Sequence, residues 1–251
     1  MAFNRQSGQK AVLARMGKFV ASGWFIQGDE VSNQSRRSLV CYNVLVNVAA
    51  NLIGGSFFTG LMIVLEADDA FAGLVTVLIY GANLLQLFTP VILERFTRRK
   101  PLLITIRVVI HLINIVFIGL IPFLPVKTSS RLLLFGFSVF LVNALSALSG
   151  PGFSVWHIAH VPPSMRVQYF SLVTMLNGIF VAVFNLLGSG VVDMFKRAGM
   201  ELWGLTTLRV LALILAAFDI RQLIRIKELP VQKPLHKLRL KAMLTEPWKH
   251  P

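Results

Sequence analysis

Apolar runs of about 20 residues follow one another along this chain, each ended by a short charged or turn-forming segment, and about 20 helical residues cross a bilayer. The runs lack the alternation of a β-barrel strand. The pattern predicts membrane-spanning helices over 42–65, 71–93, 101–124, 132–156, 170–195 and 202–224, an all-α polytopic membrane protein. Its organising stretch is 89–104, where an apolar run breaks into Glu94, Arg95, Arg98, Arg99 and Lys100 and resumes at once. A charge at the bilayer centre costs at least ~2.5–3.5 kcal/mol, so this turn lies at a membrane face.

Composition strengthens the picture: 55% of residues are hydrophobic, 14% are charged and the mean hydropathy is +0.69. The net charge of +14 sits beside the apolar runs instead of forming a basic soluble domain, so the lipid bilayer and not nucleic acid is the expected partner. Lys and Arg crowd the N-terminal segment, the 94–100 turn and the tail, whereas the alternate turns hold only Lys127, Arg131, Lys196 and Arg197. Cytoplasmic segments carry the basic excess, which predicts both termini inside and a location in the plasma membrane. Three parts follow: a cytoplasmic segment 1–40 with an amphipathic helix over 11–26, a six-helix domain 41–228 and a basic tail 229–251. The lone Cys41 excludes an internal disulfide and a cysteine-based metal site.

Polar residues inside the runs mark candidate chemistry. Asn43, Asn47 and Asn51 recur every four residues and share a helix face. Asn83, Gln86, Pro90 and Glu94 make one stripe down the second run, and Thr174, Asn177, Asn185 and Gly188 another on the fifth. Arg107, His111 and Asn114 share a face of the third run, and His111 is the group there suited to proton titration near neutrality. Arg209 and Asp219, ten residues apart on the sixth run, cannot pair with each other and are expected to meet neighbouring helices or headgroups. Gly150, Pro151 and Gly152 are expected to kink or loosen the end of the fourth. His157 and His160 have ligand spacing but no third ligand nearby, so neither metal nor cofactor is expected.

The segment from Pro90 to Lys100 resembles the signature between the second and third spans of the major facilitator superfamily, Gly-x-Leu-Ala-Asp-Arg-x-Gly-Arg-Arg. Glu94 stands at its acid and Arg95, Arg98 and Arg99 at its basic positions, while Pro90 and Thr97 replace its glycines. The loop with Pro162, Pro163, Arg166 and Tyr169 is similar to the family's connection between spans four and five. Over 36–245 the resemblance implies the N-terminal half of such a transporter, two inverted three-helix repeats. It further implies solute contact by Asn47, Asn51 and Asn143, an interface with a second half or another copy at Asn83, Gln86, Asn177 and Asn185, and gating at Glu94, Arg95, Arg98 and Arg99. The ending, Thr245 through Pro251, carries a cap and a proline suited to starting another helix, which gives the expectation of half of a twelve-span protein or a split product.

The in-run ionisable residues do not gather in sequence into a catalytic constellation, so an enzyme is not expected. A transport protein for a small solute, or half of one, is the leading reading, and a remnant or assembly partner without transport of its own is the alternative. Orientation is directly testable: reporter fusions at Glu66 and Lys127 should read as external, and fusions at Lys100 and the C-terminus as internal. An external C-terminus would overturn the six-span topology.

Overall fold

A computed structural model describes residues 30–94 and 99–228, and these form helices with no strand among them. Six helices are long and apolar enough to cross a membrane: Val31–Val64, Asp69–Phe88, Arg99–Phe123, Thr128–Ala159, Pro163–Arg197 and Glu201–Arg225. The chain is thus a multi-pass membrane protein by helix length and composition. The expected amphipathic helix 11–26, Arg95, Arg98, the side chain of Glu94 and the tail 229–251 lie outside the described residues.

All six helices begin earlier than the apolar runs, and the fourth, fifth and sixth also end later. The first starts at Glu30, so residues 30–40, assigned from sequence to a separate cytoplasmic segment, continue into the first span. Asn33, Ser35, Arg36 and Ser38 are buried there. The fifth begins with a short 3₁₀ turn, Pro163–Met165, that leads directly into Arg166–Arg197. The reason is general: a helix stops where its caps and prolines stop it, and polar turns extend it through the headgroup region.

The first two spans change their winding. In the first, Gly54 and Gly55 separate Glu30–Ile53 from Gly55–Val64: Gly55 has φ +51°, and a Cβ on Gly54 would lie 2.8 Å from the Ala50 carbonyl oxygen. In the second, Leu84–Phe88 is 3₁₀, immediately before Pro90, whose ring cannot continue the α-helical ladder. This turn breaks the α-helical stripe expected from Asn83 to Glu94.

Side chains are arranged inside-out. Large apolar residues such as Val77, Tyr80 and Leu84 of the second span, Leu186 of the fifth and Trp203 of the sixth are exposed, as suits a surface bathed in hydrocarbon. The interior packs around Leu52, Leu61, Phe135 and Leu208 in one cluster and around Leu39, Tyr42, Leu103, Phe153 and Leu223 in another. The first span packs against the fifth and sixth, the fifth against the sixth, the fourth against the second and third, and the third meets the sixth.

One contact shows how a broken ladder is repaired. Pro151 lies inside the continuous fourth helix, where its missing N–H leaves the Ala147 carbonyl without its usual partner. The wholly buried Thr89 of the second span donates its hydroxyl to that oxygen at 3.2 Å. The fourth helix therefore runs on past Gly150, Pro151 and Gly152 to Ala159, instead of loosening there. Thr89→Val, which keeps shape but removes the donor, should lower stability in detergent by ~1–3 kcal/mol. The loss should shrink in a Pro151→Ala background, where residue 151 regains its N–H; an equal loss in both backgrounds would show that Thr89 acts only by packing.

Candidate functional site: a polar seam in the helix bundle

The first polar group is built on the Asn43, Asn47 and Asn51 face. Asn47 donates its side-chain amide to the Asn43 backbone oxygen at 2.7 Å and to Asn43 Oδ1 at 3.1 Å. Asn177 of the fifth span donates to the same Oδ1 at 2.6 Å, so Asn43 is the acceptor at which the two spans join. Asn51, more exposed, donates to the Asn47 carbonyl at 2.8 Å, and Asn143 donates to Val139 of its own helix at 2.8 Å. A helix thereby satisfies the N–H₂ groups of its own amides and leaves their oxygens as acceptors.

The residues assigned to a partner surface divide. Asn83 and Gln86 are exposed on the second span. Asn177 instead turns inward to Asn43, and Asn185 is partly buried with an Oδ1 that no donor reaches. The fifth-span stripe is engaged within this bundle along at least part of its length.

A second, charged group joins the first, third and sixth spans. His111 Nε2 lies 2.7 Å from Asp219 Oδ2, with Asp219 fully buried and the His111 side chain 11% exposed. One turn away, Arg107 donates from Nη2 to the Tyr42 hydroxyl at 2.8 Å, and its guanidinium lies 4.6 Å from the ring centre of Phe153 and 5.7 Å from that of Tyr42. Cation–π contact of this kind offsets part of the desolvation of an arginine below the membrane surface. Asp219 keeps Oδ1, and Arg107 keeps Nε, without a hydrogen-bond partner. Ionisable residues scattered in sequence do gather here, although no nucleophile with a base and no cluster of acids results.

Arg209 takes a different route. The third helix widens to a π-helix over Leu112–Phe117, and Arg209 Nη1 donates to the Asn114 carbonyl in that segment at 2.7 Å. Gly119 makes the approach feasible, because a Cβ there would lie 2.9 Å from Arg209 Cδ. Arg209 and Asp219 thus each meet the third span and not each other, whose pairing their spacing on one helix excludes.

At the end of the bundle that holds the basic turn, Lys100 donates from Nζ to the Ile224 and Ile226 carbonyl oxygens at 2.8 and 2.7 Å. A cation at the C-terminal end of the sixth helix suits both its unpaired carbonyls and its dipole. His160 places one ring nitrogen 2.8 Å from the Trp156 oxygen and the other 2.9 Å from the Lys227 oxygen. His157 meets the Tyr169 hydroxyl at 2.9 Å. The two histidines therefore hold separate structural contacts, and among the described residues no group of His, Cys, Asp and Glu could hold a metal ion.

Sequence reasoning missed the His111–Asp219 pairing and the docking of Lys100. The signal for the first was present: a buried acid on the sixth span needs a cation, and the spacing excludes Arg209. Comparison with protein-family models, with curated proteins and with solved structures finds no match.

Removing one member of a buried pair strands the other. Asp219→Ala and His111→Ala should each destabilise the detergent-solubilised protein by ~3–5 kcal/mol, and the double substitution by much less than their sum. Additive losses would mean that the two side chains act independently.

Proposed function

We propose that this chain is a membrane transport protein of the major facilitator type, or one six-helix half of such a protein, moving a small solute by alternating access. The observation that carries the reading is the packing pattern. Exchanging spans one, two and three for four, five and six maps the first-with-fifth and first-with-sixth contacts onto fourth-with-second and fourth-with-third and leaves third-with-sixth unchanged, although the fifth-with-sixth contact has no second-with-third counterpart of similar extent. The matched contacts are those that two inverted three-helix repeats would share.

The basic turn supports the same reading from the sequence side. Glu94, Arg95, Arg98 and Arg99 match the charged positions of the resembling signature, and in this reading they govern opening of the inner face. Both termini then lie in the cytoplasm and the protein in the plasma membrane. Asn47, Asn51 and Asn143 supply acceptor oxygens to the solute, which favours a neutral hydrogen-bonding molecule. Asn83 and Gln86 are exposed amides within a membrane span, where lipid cannot hydrogen-bond them, and they favour a second half or another copy on that face. The same two residues would serve an assembly partner without transport of its own.

The test uses Asn51→Cys and Asn143→Cys, each in a Cys41→Ser background, in right-side-out and inverted vesicles. Alternating access at a midplane site predicts that a membrane-impermeant thiol reagent modifies both from either side. Modification from one side alone, or from neither, would count against a transport cavity and leave the assembly-partner reading. Asn51→Ala should leave the amount of protein in the membrane unchanged; its loss would assign Asn51 to packing.

A further inference from the structure

An apolar groove of about 510 Å³ lies among the first, fifth and sixth spans, and nothing in the seam described above uses it. Val40, Val44 and Val48 line one wall, Leu176 and Phe184 the other, and Leu215 belongs to the sixth span. Its lining contains one charged residue, Arg37, and one thiol, the exposed Cys41.

Position identifies the occupant. From Arg37 to Val48 the first helix rises by ~16 Å at 1.5 Å per residue. That is close to half of a hydrocarbon core ~30 Å thick, the depth of one leaflet. Arg37 is the last charged residue before the uninterrupted apolar and amide stretch that leads to Glu66, so it stands at headgroup level on the basic side of the bundle. Phe184 and Leu215 lie near the middle of their spans, so the groove ends near the midplane. An apolar channel one leaflet deep with a guanidinium at its interfacial end has the shape and polarity of a phospholipid. Arg binds phosphate with a geometry that water at the interface does not replace, and no acid in the lining opposes a negative headgroup.

We infer that the groove is a binding site for an anionic phospholipid of the inner leaflet, with an acyl chain along Val44 and Leu176 and the phosphate on Arg37. Other exposed apolar surface meets lipid without selecting it; this groove selects by headgroup charge. The inference rests on the membrane-spanning architecture and holds whether or not the chain transports a solute.

Cys41 is the only cysteine in the chain, so the native protein carries its own reporter in the groove wall. The full chain is placed in nanodiscs of phosphatidylcholine alone or mixed with phosphatidylglycerol, and the rate of Cys41 alkylation by an apolar maleimide is measured. Phosphatidylglycerol should slow the reaction several-fold in the wild type, Arg37→Gln should abolish that protection, and Arg37→Lys should retain part of it. Equal rates in the two lipids, or protection that survives Arg37→Gln, would overturn the site; uniformly slow labelling would mean that protein covers the groove. Soluble glycerol phosphate should not protect, and protection by it would exclude the acyl-chain half of the site. As an independent measure, Leu176→Trp should fill the groove and reduce phosphatidylglycerol retained in native mass spectra, with Arg37 intact. Unchanged retention in that variant would also sink the proposal.

Discussion

Hydrocarbon offers no hydrogen bonds, and the constraint that every polar group must therefore find its partner within the protein governs this bundle. Thr89 repairs the carbonyl that Pro151 leaves open, and Arg209 donates to a carbonyl in the π-helical turn of the third span. His111 and Asp219 meet each other, and Arg107 lies over aromatic rings with its donor on Tyr42. Each contact links two spans. Irregular winding occurs beside two of them, the 3₁₀ turn Leu84–Phe88 next to Thr89 and the π-helix Leu112–Phe117 that holds Asn114.

The ties fall into two groups with different consequences. The amide group at Asn43, Asn47 and Asn177 uses neutral bonds, whose separation strands no charge. The charged group joins the first, third and sixth spans, where parting His111 from Asp219 would strand an ion. A bundle that rocks about a central site needs elements that hold together and elements that exchange partners. In the proposed reading, the charged group holds the first, third and sixth spans together, while the amide faces contact the solute and the second half. Lys100 adds a restraint at one end of the bundle, fastening the start of the third span to the end of the sixth.

The groove bounded by Arg37 and Leu215 is of another kind, because the polar seam does not use it. In the proposed reading it ties the protein's surface to the composition of one leaflet. A lipid seated there would wedge the first span against the fifth, beside the Asn43–Asn177 contact.

Hydropathy alone determined six segments long and apolar enough to cross a membrane, because the free energy of placing charge in hydrocarbon is large and local in sequence. It placed the basic turn at 94–100 and excluded a pairing of Arg209 with Asp219, since both follow from distances along one helix. Helix ends were less legible: the polar turns 30–41 and 163–169 are helical or lead directly into a helix, which burial and caps decide and apolar content does not. Which groups meet across helices was decided by the tertiary structure alone. His111 finds Asp219, Asn177 turns to Asn43 instead of outward, and Thr89 reaches Ala147, because helix rotation and depth, which no periodicity encodes, bring residues distant in sequence together.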